Sequence, residues 1–98
     1  MKQWLRKQVD EYRRLYADEL PVEFLEQFAV DRSEEEERAN IDWLKEEIKK
    51  DGIKTPLILE CSGSRIERMG VDALLVEGNH RLVAARELGL KTVPARIV

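Results

Sequence analysis

The chain reads as an α/β (α+β) domain, with a small mixed sheet, flanking helices and an N-terminal amphipathic helix. Three observations predict this. Apolar residues recur at helical spacing in two segments, Leu5-Val9-Tyr12-Tyr16 and Ile41-Leu44-Ile48. Three short apolar runs, Leu57–Cys61, Ala73–Val76 and Thr92–Val98, are bounded by Gly, Pro and Ser and read as strands. Between the last two runs, Leu82–Leu88 returns to helical spacing and stops at Gly89. Ninety-eight residues suffice for one modest core.

Taken in order, the first helix is expected from about Lys2 to Ala17, with Trp4 and Leu15 widening its apolar stripe. It should end by Leu20, since the residue before Pro21 disfavours helical backbone. Val22 to Val30 is open between a short helix and an irregular connection. Asp31-Arg32-Ser33 should open the second helix, with Ser33 and Glu36 as a capping box and Glu34 to Glu37 favoured by the helix dipole. Lys49 and Lys50 suit its C-terminal end, and Gly52 stops it. After the Leu57–Cys61 strand comes a turn at Ser62-Gly63-Ser64. Arg65 to Met69 then reads as a hairpin arm closed by Gly70. Leu82, Ala85 and Leu88 should face inward, and Pro94 should lie at a sheet edge or a strand start. A division at residue 30 follows, with 1–29 as a helical extension and 30–98 as the α/β domain.

Composition narrows the function classes. The 17 basic and 20 acidic side chains give a net charge of −3, which argues against coating nucleic acid by charge alone. The charge is uneven, however. Residues 31–51 carry nine acids against five bases, whereas 77–98 carry four bases against two acids and 1–14 five against two. No apolar run approaches the ~20 residues of a membrane span, and the N-terminus lacks a signal-peptide run, so a cytoplasmic protein with no membrane partner is expected. One cysteine, Cys61, excludes an internal disulfide and a Cys-rich zinc site, and reads as a small apolar strand residue. Trp4, Trp43, Tyr12 and Tyr16 are read as packing residues rather than base-stacking platforms.

Chemistry concentrates at Glu77-Gly78-Asn79-His80-Arg81, between a strand and a helix. A glycine there lets backbone pass close to a ligand, and the first amides of the helix have no intrahelical acceptor. Together with the donors of His80 and Arg81, this suits a phosphate. Arginine matches phosphate geometry, and a histidine can act as acid or base near neutral pH. Glu77 reads as a Mg²⁺ or water-orienting acid, or as a counter-charge to its basic neighbours; Asn79 as a phosphate contact or a helix cap. Glu77 and His80 are thus the candidate catalytic residues, and Gly78, Asn79, His80 and Arg81 the phosphate-binding set. No protein metal site is expected.

These residues resemble a known superfamily. Gly52-Ile53-Lys54-Thr55-Pro56-Leu57-Ile58-Leu59, then Val76 through Gly89, then Thr92-Val93-Pro94-Ala95-Arg96-Ile97, is similar to the ParB/sulfiredoxin-like domain over about residues 30–98. The resemblance implies a compact fold whose turn binds nucleotide phosphates, with ATP or CTP and Mg²⁺ as cofactors. It also makes Arg32 a secondary nucleotide contact, and Lys54 and Thr55 residues at the edge of the site. Sulfiredoxins carry a reactive Cys where this chain has Asn79, so their chemistry is not expected. ParB partition proteins use a Gly-Glu-Arg-Arg type of turn for CTP. A second ParB box and a helix-turn-helix are not expected, because the sequence stops soon after the closing strand. The acid-Gly-Asn-His-Arg form is nearer to a free-serine kinase family and to small ParB-like nuclease proteins of phages and prokaryotes.

Three functions stay open at this level. The first is a nucleotide-binding domain with Mg²⁺-dependent hydrolysis or phosphoryl transfer. The second is a DNA-associated nuclease or a partition or replication accessory, with Arg81, Arg86, Lys91 and Arg96 as its basic group. The third is a non-enzymatic module that docks a partner or forms a homodimer through the N-terminal helix.

Overall fold

A computed structural model describes residues 1–30 and 35–98. Its elements run α1 Gln3–Tyr16, β1 Glu19–Pro21, α2 Val22–Glu26, α3 Arg38–Asp51, β2 Leu57–Glu60, α4 Ser64–Met69, β3 Leu74–Glu77, α5 Asn79–Glu87 and β4 Thr92–Ile97. The four strands form one mixed sheet in the order β1-β4-β2-β3. β4 is antiparallel to β1 and parallel to β2, and β2 is antiparallel to β3. The α+β class read from the periodicities is the class observed. No helix among the described residues is long and apolar enough to cross a membrane.

The main core joins both ends of the chain. Leu5 and Val9 of α1, Leu20 of β1 and Phe24 and Leu25 of α2 are buried in one cluster with Leu57, Leu59, Leu75, Leu82 and Val93. Residues 1–29 therefore supply a sheet strand and part of this core. Tyr12 meets Phe24 edge-on at a centroid distance of 5.1 Å, and Phe24 meets Phe28 at 5.3 Å. A second cluster, Ile41, Ile48 and Ala84 with Leu44, Val83 and Leu88 against it, fixes α3 on α5. Helix α5 is thus buried on two sides. Ala84 and Ala85 have no exposed surface, and their small side chains let both neighbours approach.

Several local expectations change. Glu35 to Glu37 form a turn before α3, which starts at Arg38. The described residues 35–37 carry only glutamates, so no apolar side chain anchors a helical turn there before Ile41 packs. The proposed cap at Ser33 lies outside the described residues. Arg65 to Met69 form helix α4 rather than a hairpin arm. Only Ile66 is buried there, which one helical turn satisfies without strand alternation, and Gly70 ends it in the left-handed conformation. Trp4, Leu15 and Trp43 are 47%, 59% and 60% exposed, because each flanks a buried stripe instead of lying on it.

Pro94 sits in an inner strand, not at an edge. The Val22 amide donates to the Lys91 carbonyl at 2.9 Å and the Ala95 amide to Asp18 at 3.1 Å. Alternation then makes Glu19–Pro94 a non-hydrogen-bonded pair, so the proline nitrogen points away from β1. Pairing with β2 begins only at Ala95, and no ladder bond is lost.

Candidate functional site

The turn after β3 is prepared by a bulge. Ile58 pairs with Glu77 but Leu59 with Leu75, leaving Val76 as the extra residue. The bulge bends β3 immediately before Gly78. Gly78 has φ 98° and ψ 17°, and stands as the residue before α5. A Cβ there would overlap the Leu57 side chain, with Cβ at 3.1 Å and Cδ2 at 3.2 Å and Cγ nearer still. Only glycine combines this φ with that approach. Its carbonyl accepts the first helical bond, from the Leu82 amide at 2.8 Å. Among the described residues the amides of Asn79, His80 and Arg81 meet no acceptor. These three donors stand together at the positive end of a nine-residue helix.

The side chains of the turn divide into anchors and open groups. Asn79 is an anchor at both ends. Its Oδ1 accepts from the Val30 amide at 2.8 Å, and its Nδ2 donates to the Leu75 carbonyl at 3.0 Å. This carboxamide ties the chain after α2 to β3 rather than capping α5. Arg81 donates to the carbonyl of Thr55, which brings the 54–56 connection to the turn. Thr55 meets the turn through its carbonyl, and Lys54 is exposed beside it. His80 is half-buried. Its Nε2 is buried without a hydrogen-bond partner and lies 3.6 Å from Glu37 Oε2. Glu77 is exposed at the end of β3, with no ion-pair partner among the described residues. Arg32 lies outside the described residues.

Glu37 is the residue that sequence reasoning missed. In the sequence it stands only as part of an acidic run, and nothing local signals a contact 43 positions away. The same holds for the ionic clamp behind the turn. Arg38 donates to both Glu87 oxygens, at 3.0 and 2.7 Å, and also to Asp42 at 3.1 Å, while Lys45 reaches Glu87 at 3.2 Å. The Arg38 hydrogen bonds, aided by Lys45, hold the Glu87 carboxyl at about 2, well below the ordinary carboxylate range. This clamp ties the C-terminal end of α5 to α3. Cys61 plays no part, because burial pushes its thiol up and away from the reactive thiolate.

Chemically, the turn offers oriented amide donors, a guanidinium, an imidazole and one free carboxylate. Among the described residues no group of three His, Cys, Asp or Glu side chains could hold a metal ion by itself. A Mg²⁺ ion needs no such cage when phosphate oxygens and water complete its octahedron, and Glu77 is an exposed carboxylate at the turn.

The model of the ParB N-terminal domain family matches residues 6–98. No curated protein matches the chain. The match spans nearly the whole sequence, and the chain belongs to the ParB N-terminal domain family.

Proposed function

We propose, from membership of the ParB N-terminal domain family and the geometry of the turn, that the chain binds the phosphates of a nucleotide at Gly78–Arg81. One observation carries this reading. Among the described residues the first amides of α5 lack acceptors, and beside them the buried His80 Nε2 also lacks a hydrogen-bond partner. Gly78, His80 and Arg81 bind phosphate oxygens, and Asn79 holds the turn in shape. Glu77 orients a water or completes the shell of Mg²⁺, which would supply charge neutralisation when bound with ATP or CTP. Mg²⁺-dependent hydrolysis or phosphoryl transfer is the finer form of this reading, with Glu77 and His80 as the acid–base pair. Calorimetric titration with ATP, ADP, CTP and GTP, with and without Mg²⁺, tests it. Saturable binding to at least one is expected, and silence toward all at millimolar concentration overturns it.

A second reading, DNA association in a partition-like role, is favoured by the family itself. Lys91 and Arg96 are exposed on the β4 side of the molecule and support it. A gel shift at low salt should show retardation of duplex DNA, and none at tens of micromolar protein removes this reading. Trp4 and Leu15, exposed on α1, support the homodimer expected there. Sedimentation equilibrium reads it directly.

A further inference from the structure

A second charged recess is lined in part by Pro56 of the 54–56 connection. It encloses about 510 Å³ between the end of α1 and the β4 strand, lined by Arg13, Asp18, Pro56, Pro94, Arg96 and Ile97. Among the described residues neither Arg13 nor Arg96 has an ion-pair or hydrogen-bond partner. Arg14, next to Arg13 in sequence, is by contrast paired with Glu11. Arg13 and Arg96 line one recess, where like charges repel each other. The proline rings and Ile97 give the recess stiff apolar walls. Asp18 is the single acid in the lining.

The backbone beside the recess is also strained. Ala17 has φ 59° and ψ −116°, the first central position of a type II′ turn, which glycine occupies without cost. It is the only non-glycine residue with positive φ among the described residues. The strained turn carries Asp18 against β4, where its carbonyl accepts the Ala95 amide. Retained strain of this kind clusters at ligand sites.

From these two observations we infer that the recess between Arg13 and Arg96 binds a phosphate group, independently of the Gly78 turn. A phosphate oxygen pair matches each guanidinium fork, and binding removes the repulsion between the two cations. The group can belong to a small free phosphate compound or to a nucleic-acid backbone. Asp18 weakens either one.

The test is titration of the ¹⁵N-labelled full chain with pyrophosphate and, separately, with a twelve-base-pair DNA duplex, following amides and arginine side-chain N–H signals. The expected result is saturable movement of the Arg13 and Arg96 side-chain signals and of residues 94–97. Arg13→Gln and Arg96→Gln should each weaken binding about tenfold. Asp18→Asn should tighten it. Response to pyrophosphate identifies a small-phosphate source. Response to DNA alone, with the salt slope falling by about one per arginine removed, identifies a backbone contact. The inference is overturned if neither probe moves these signals, or if movement is confined to Gly78–Arg81. Arg13→Lys and Arg96→Lys, which keep the charge, guard against loss of fold: they should retain part of the affinity.

Discussion

At the scale of single residues, the most constrained position is Gly78. The sequence marks it as a turn glycine suited to close approach of a ligand, but its deeper reason is Leu57, whose side chain fills the space a Cβ would need. Gly78→Ala combines a strained positive φ with overpacking and should destabilise the fold by about 2–4 kcal/mol in urea unfolding. A stability change under 1 kcal/mol would mean that Leu57 yields easily. Asn79 was legible as a polar helix-start residue but not as a two-ended tie, because its partner Val30 is 49 positions away. Asn79→Ala should cost about 1–3 kcal/mol and speed amide exchange at Val30 specifically. Ala17→Gly should act in the opposite direction. It relieves the type II′ strain and should stabilise by about 0.5–1 kcal/mol, visible as a raised melting temperature.

At the scale of elements, the strands and the helices with clear apolar periodicity were readable because burial on one face leaves a pattern in the sequence. The elements that were not readable lack that pattern. β1 is three residues long and held by backbone bonds to β4; α4 buries one side chain; and the start of α3 is set by contact with α5. The α3–α5 clamp also gives a pH prediction. Because Glu87 has a folded-state value of about 2, lowered from an ordinary 4.5, its contribution is complete above the ordinary value. That contribution is lost as pH falls through the folded value. Wild type should therefore exceed Glu87→Gln in stability at pH 7, and the gap should close between about pH 4.5 and 2. Urea unfolding of both proteins at pH 7, 4 and 2.5 checks the sign, and added salt should narrow the gap because the pair is solvent-exposed. A gap independent of pH would show that the glutamate acts through packing alone.

At the scale of the whole molecule, one core ties α1 and β1 to the strands that carry the turn, so the site rests on both ends of the chain. The resemblance carried by the Gly-x-His-Arg turn and the closing strand led to the family; it could not lead to Glu37 or to the unpaired arginines of the second recess, which only the folded chain brings together. The central claim is that the start of α5 is a phosphate site. The most direct measurement is a ¹⁵N NMR titration of the chain with ATP and CTP in the presence of Mg²⁺, repeated on Arg81→Ala. The account predicts saturable shifts centred on the amides of Asn79, His80 and Arg81, with the affinity reduced about tenfold or more in the variant. Amides that stay still at millimolar nucleotide, or a wild-type affinity in Arg81→Ala, would contradict it.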